Sequence, residues 1–318
     1  MRRSHRWWLG LLLLTAMHLP AAELRIVAYV PTWSDLARLT TAIPFARLTH
    51  LDIAFVNATD DAGTLEAPAK VAPLIAAAHQ HGLRVMVSLG GGSASEDRVQ
   101  RERYAALMAP ARRAGFISGI TRYLRTHGYD GIDIDLEGPA ISADYGGFIA
   151  DLATTLQAEH QLLSAALSSG YGGDRIPAAA LTHFDFINLM AYDATGPWTP
   201  DRPGPHASVE LATAEIAFWR RRGVAGERIV LGVPFYGYAF NADRSVRALS
   251  FNDIVTRHPG AEQHDQVDTL FYNGFPAIRA KAALVMKEGL GGMMIWSLDQ
   301  DAPGERSLLA EMARVLGR

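Results

Sequence analysis

From residue 23 onward, short apolar runs alternate with longer stretches in which apolar residues recur every three to four positions. The runs read as strands and the periodic stretches as amphipathic helices. Eight runs stand out, at 24–30, 50–57, 83–89, 129–138, 162–168, 184–193, 228–240 and 292–298. The periodicity predicts helices over 71–81, closed by Gly82, and over 96–127 with a break near Gly115. Further helices are expected over 144–160, 208–222, 277–288 and 307–316. Strands alternating with helices build a parallel sheet covered by helices, and eight such units with a closing helix fit a (β/α)8 TIM barrel. A doubly wound open sheet fits less well, because it wants a glycine loop after its first strand, where this chain has Pro31 and Trp33. Between the seventh and eighth runs there is room for an insertion, though not for a full α+β domain.

The fourth run is chemically unlike the others: Tyr129-Asp130-Gly131-Ile132-Asp133-Ile134-Asp135-Leu136-Glu137-Gly138. On an extended strand Ile132, Ile134 and Leu136 share one face and Asp133, Asp135 and Glu137 the other. Carboxylates about 6–7 Å apart repel unless solvent, a metal or a shared proton relieves them. In isolation the stretch reads as a half-wet sheet strand, as a carboxylate site for a hard cation, or as buried acids engaged in proton transfer. A barrel strand has no wet face, since one side meets the packed interior and the other the helices. The acidic face is then buried or lines a pocket, with Asp133 and Asp135 sharing a proton and Glu137, nearest the mouth, meeting a substrate.

Barrel active sites lie at the C-terminal ends of the strands. There the sequence places Tyr29, Phe55, Gly91, Asp135, Glu137, Met190, Tyr192, Asp193, Tyr236 and Trp296, with Met294 also on the eighth strand. Gly90-Gly91-Gly92 reads as a close backbone approach to a ligand or as a glycine turn. Tyr29, Phe55 and Trp198 fit core packing as well as ligand contact.

Composition and charge narrow the class. Of 318 residues 49% are hydrophobic and 20% charged, which is globular composition. Residues 1–22 differ: Arg2, Arg3 and Arg6 precede an apolar run over 7–14, and Ala21 and Ala22 follow Pro20. That order is a secretory signal peptide, with a run too short to span a bilayer. Two segments are therefore expected, a leader over 1–22 and one catalytic barrel over 23–318. Removing the leader takes the balance from 30 basic against 33 acidic residues to 27 against 33. An acidic chain without a basic patch gives no reason to expect a nucleic-acid partner, and the absence of cysteine removes disulfides and thiolate metal sites. A secreted or periplasmic monomer, free of the membrane once the leader is gone, is the expected form.

Four motifs occur in register: the acidic stretch Asp130 to Glu137, Ser88-Leu89-Gly90-Gly91 on the third strand, Met190-Ala191-Tyr192-Asp193 on the sixth, and Trp296 on the eighth. Together they resemble the motifs of family 18 of the glycoside hydrolases, the chitinase family, over essentially the whole chain after the leader. The resemblance implies an endo-acting retaining glycosidase for β-1,4-linked N-acetylglucosamine polymers or oligomers, with the acetamido group of the substrate as nucleophile. It implies that Glu137 acts as acid and then base, and that Asp135 orients the acetamido N–H and stabilises the oxazolinium ion. Asp133 would stand behind it to take or return a proton. Tyr192 and Asp193 would hold the acetamido group, and Trp296 would form the floor. Tyr29, Phe55, Gly91, Met190, Tyr236 and Met294 complete the expected substrate-binding set, and no cofactor or metal is implied. The same motifs serve endo-β-N-acetylglucosaminidases acting on N-glycan cores or peptidoglycan. Sugar-binding barrels on this plan generally lack the acid, which here is present as Glu137.

The chain also departs from the family pattern. Gly138 and Gly92 stand where many relatives have aromatic residues, and Tyr238 stands where many have arginine. Two sugar platforms are expected to be missing, leaving a shallow, open cleft suited to non-processive cleavage of soluble or amorphous substrate.

Overall fold

The computed structural model describes residues 23–318, so the expected leader lies outside the described residues. Eight parallel strands close into a barrel: β1 (Arg25–Pro31), β2 (His50–Val56), β3 (Arg84–Gly90), β4 (Gly131–Asp135), β5 (Leu162–Leu167), β6 (Phe186–Leu189), β7 (Ile229–Pro234) and, last in the chain, a strand at Gly292–Trp296. The last strand pairs with both β1 and β7 and so shuts the ring. Two apolar layers result from the two-residue alternation. Outward-facing Ile132, Ile134 and Leu136 join the large cluster under the helices, whereas Val27, Met86, Ala166, Phe186, Val230 and Met294 fill the barrel interior. The expected barrel, strand order and facing of the acidic run are all observed.

The sixth strand ends at Leu189, short of the expected Asp193, and two further boundaries differ from expectation. The helical region after β3 breaks at residues 97 and 109, not at Gly115, giving helices Gly92–Glu96, Arg98–Met108 and Pro110–His127. Proline at a helix start lacks only an N–H that would be unpaired anyway, and it forces the preceding residue out of the helical region. Ala109 accordingly sits at φ −62°, ψ 147°, and Gly115 is simply carried inside the last helix.

The seventh run splits. β7 ends at Pro234, the Phe235 N–H bonds back to the Trp296 carbonyl at 2.8 Å, and the chain leaves the barrel. Residues Tyr236–Phe240 form β8 of a separate antiparallel sheet with β9 (Val246–Ser250), β10 (Gln266–Val267) and β11 (Leu270–Phe271). The helix Phe251–Arg257 follows β9, and the closing barrel strand Gly292–Trp296 is therefore β12. This small α+β unit rises beside the C-terminal mouth and brings Tyr236 and Tyr238 to it. No helix among the described residues is long and apolar enough to cross a membrane.

Candidate active site

A polar layer crosses the barrel interior beneath the mouth. Asp133 is fully buried and accepts four hydrogen bonds: from the hydroxyls of Tyr29 (2.7 Å), Ser88 (2.8 Å) and Ser164 (2.6 Å), and from Asn188 Nδ2 (3.2 Å). Strand register explains the convergence, because Ser88 and Ser164 are the direct neighbours of Asp133 on β3 and β5. Burial raises the Asp133 pKa while these donors pull it back. Tyr29 is 1% exposed and packs 5.5 Å from the Trp296 ring. Its hydroxyl serves Asp133, so Tyr29 is a buried support for the acids and not the substrate contact expected from sequence.

A further acid belongs to this layer. Asp52 on β2 is fully buried and shares the Asn188 amide with Asp133, at 3.2 Å to its Oδ2. Its pKa is held well above the ordinary carboxylate value, by burial first and by Asp133 second. The sequence carried a signal for it: Asp52 is a lone carboxylate at an inward position between apolar residues.

Asp135 does not share a proton with Asp133 in the manner expected. Asp133 is saturated by its own donors, and Asp135 instead lies within hydrogen-bonding reach of Glu137. Burial, Glu137 and Asp133, in that order, push the Asp135 pKa well up. Glu137 is raised to about 7, by burial first and by the Asp193 carboxylate second. Two adjacent carboxyls that share a proton supply an acid and an anion side by side.

Glycines at the end of β3 set the height of this pair. A Cβ on Gly90 would stand 2.1 Å from the Asp135 carbonyl oxygen, and the Gly91 N–H donates to that same oxygen at 2.8 Å. Both residues have positive φ, 121° and 78°. The paired glycines bring backbone against β4 and under Phe55, so Gly91 serves the fit of protein on protein and not the expected approach to a ligand.

Aromatic residues rim the mouth. Phe55 stacks on Trp296 with centroids 5.5 Å apart and planes 22° from parallel, and the exposed Trp33 lies 6.2 Å beyond Phe55. Tyr192 and Met190 lie past the end of β6 and are partly buried against the interior layer. Met294 is fully buried below them, its Cε 2.8 Å from the place a Gly232 Cβ would take; it shapes the floor from beneath and does not reach a ligand. Asp193, at φ 64°, accepts the Tyr236 hydroxyl at 2.5 Å and the Tyr238 hydroxyl at 3.2 Å on one oxygen. Trp198 is exposed, its ring edge-on to Tyr238 at 5.8 Å.

Only one of the two expected gaps is a gap. Beside Gly92 the space is open, with nothing within 4 Å of a Cβ placed there. Over Gly138 the Tyr171 ring fills the space, 2.4 Å from where a Cβ would stand, and the Gly138 N–H donates to the Tyr171 carbonyl at 3.0 Å. An aromatic face next to Glu137 is thus supplied by the loop after β5.

Comparison with known proteins agrees with this arrangement. The family model described as glycosyl hydrolases family 18 matches residues 25–301. A chitinase from the chitin utilization locus of Flavobacterium johnsoniae superposes with a TM-score of 0.87 at 34% identity, covering 93% of this chain and 94% of that one. Chitinase B of Serratia marcescens is 30% identical over 73% of this chain and 56% of its own length. Chitotriosidase-1 of Mus musculus is 28% identical over 69% of this chain and 59% of its own. The chain therefore spans less than two thirds of the length of these curated relatives. With the motifs in register, the barrel closed around them and the family model matched from the first strand to beyond the last, the chain belongs to family 18 of the glycosyl hydrolases.

Proposed function

We propose that the chain hydrolyses β-1,4-linked N-acetylglucosamine polymers or oligomers, chitin and chito-oligosaccharides, with retention of configuration and with the substrate acetamido group as nucleophile. The observation that carries this reading is the Asp135–Glu137 pair at the barrel mouth, with Glu137 lifted to about 7 by burial and by Asp193. Near neutral pH such a carboxyl still holds its proton and is matched to the role of general acid.

In the reaction, Glu137 donates its proton to the glycosidic oxygen as the bond to the anomeric carbon breaks. The acetamido carbonyl oxygen attacks that carbon and closes an oxazolinium ring. Asp135 accepts a hydrogen bond from the acetamido N–H and faces the positive charge with its own negative charge. Asp133, Tyr29 and Asn188 hold the charge balance below. Glu137, now a carboxylate, takes a proton from water, whose oxygen opens the ring and restores the acetamido group. Tyr192 and Asp193 position that group, Trp296 lies under the distorted ring, and Tyr171 offers an aromatic face on the leaving-group side. Apolar sugar faces suit such rings.

The open space beside Gly92 supports a shallow cleft and endo-type, non-processive cleavage. The basic–apolar–small order of residues 1–22 supports export to the periplasm or exterior. The test is hydrolysis of chitotetraose by the wild-type chain and by Glu137→Gln, with a high-mannose glycopeptide and peptidoglycan as competing substrates. The expected result is turnover of chitotetraose that drops at least about 100-fold in the variant. Turnover of the glycopeptide or peptidoglycan alone would move the assignment to an endo-β-N-acetylglucosaminidase, and full activity of the variant would remove Glu137 as the acid.

A further inference from the structure

The loop after β6 delivers a histidine that neither the family motifs nor the mechanism above uses. His206 is 1% exposed, and its main chain is fastened at two consecutive carbonyls. The Ala194 N–H donates to the His206 carbonyl at 3.0 Å, and Asn273 Nδ2 donates to the next carbonyl, Ala207, at 3.0 Å. The buried Lys281 ammonium fixes Asn273 in turn, with 2.7 Å from Nζ to Oδ1. The imidazole lies against the rings of Tyr236 and Tyr238, with centroids 5.1 and 4.9 Å away. Its Nδ1 stands 3.4 Å from Asp193 Oδ1, the same oxygen that accepts both tyrosine hydroxyls.

Neither ring nitrogen completes a hydrogen bond among the described residues, and Asp193 is the carboxylate within 4 Å. Burying an imidazole with both nitrogens unpaired is unfavourable, and the fastened main chain keeps the ring there. At 3.4 Å the Nδ1–Oδ1 pair is a small movement short of an ordinary hydrogen bond. Asp193 Oδ2 takes part in none of these contacts, and the Asp193 side chain keeps 39% of its surface exposed.

We propose that His206 is the positioning residue of Asp193: the Tyr236 hydroxyl fills one acceptor site of Oδ1, and His206 Nδ1–H shares the other with the more distant Tyr238 hydroxyl, a clamp that leaves Oδ2 to the acetamido group of the substrate. The identity of the substrate rests on the function proposed above, whereas the clamp does not. Tyr238 is one jaw of this clamp.

The test compares His206→Phe, which keeps a ring between the tyrosines, with His206→Asn, whose amide restores a donor near the Nδ1 position. On chitotetraose His206→Phe is expected to lower kcat about tenfold with KM nearly unchanged, as misalignment of a reacting group does. His206→Asn recovers most of that loss. In an Asp193→Asn background His206→Phe has less than about a twofold effect, because the two residues act as one unit. Full activity of His206→Phe, equal losses in the Phe and Asn variants, or equal losses with and without Asp193 would each overturn the clamp. A readout independent of turnover guards against misfolding of the variants and against a wrong substrate: the ring nitrogen resonances of His206, measured by NMR in the wild type and in Asp193→Asn. They are expected to move between the two, and unchanged signals overturn the proposal. A wild type inactive on every acetamido sugar tried, with those resonances shifted, would retire the glycosidase reading and leave the clamp standing.

Discussion

Replacing Glu137 by glutamine is expected to stabilise the protein, and to do so only above mildly acidic pH. The Glu137 carboxyl rises from an ordinary 4.5 to about 7 in the fold, chiefly because burial disfavours its charge. One pH unit is worth about 1.4 kcal/mol, so keeping this group ionised at pH 8 costs the native state up to about 3 kcal/mol. Exchange of the proton with Asp135 makes that figure an upper bound. The sign follows from proton counts. Between pH 4.5 and 7 the native chain binds more protons at this position than the unfolded chain does, so its stability falls as pH rises through that window. Glutamine does not titrate, and Asp52 and Asp133 titrate in both proteins and largely cancel in the difference, whereas the part of the Asp135 shift that Glu137 causes is lost with it and enters the difference. Variant-minus-wild-type unfolding free energy should therefore climb by up to about 3 kcal/mol between pH 4.5 and 8, and level off above. Urea unfolding followed by tryptophan fluorescence at several pH values measures it. A difference that stays flat within about 0.5 kcal/mol would refute the claim that the fold strains this acid.

Three other substitutions probe the parts around it. Tyr29→Phe removes the 2.7 Å donor to Asp133 and is expected to cost about 1.5–3 kcal/mol at neutral pH; an unchanged unfolding midpoint would contradict the buried network. Gly90→Ala drives a Cβ into the Asp135 carbonyl at a positive φ, so kcat should fall about 100-fold through displacement of the acid pair, and wild-type kcat would show that this close approach is dispensable. Tyr171→Ala should raise KM for oligosaccharides about two- to tenfold with kcat held, measured by initial rates, while an unchanged KM would mean that the ring over Gly138 touches no sugar.

The barrel and its acids were legible because they rest on two-residue alternation. A strand of the type Ile-Asp-Ile-Asp-Leu-Glu states which face is which, and closure of the sheet only decides what each face meets. Asp52 is only weakly marked, as a single inward carboxylate within His50 to Val56; its meaning arises when Asn188 joins it to Asp133 across the barrel. Tyr171 and His206 are unmarked in the sequence for a related reason. Both sit on loops whose approach to Gly138 and Asp193 is set by the barrel, and no local spacing encodes that approach. Gly115 is the more obvious helix breaker in the string, yet Pro110 sets the break by acting on its predecessor through sterics. Phe235 to Phe240 continues the apolar character of β7, so only the turn after Pro234 shows that the strand has changed sheets.

The central claim is that the substrate itself supplies the nucleophile while Glu137 and Asp135 manage the proton and the charge. It is tested most directly by comparing two tetrasaccharides that differ only in whether the sugar on the non-reducing side of the cleaved bond carries an N-acetyl group or a free amine. The account predicts cleavage of the acetylated compound and no detectable cleavage of the deacetylated one. Equal rates on the two would contradict it.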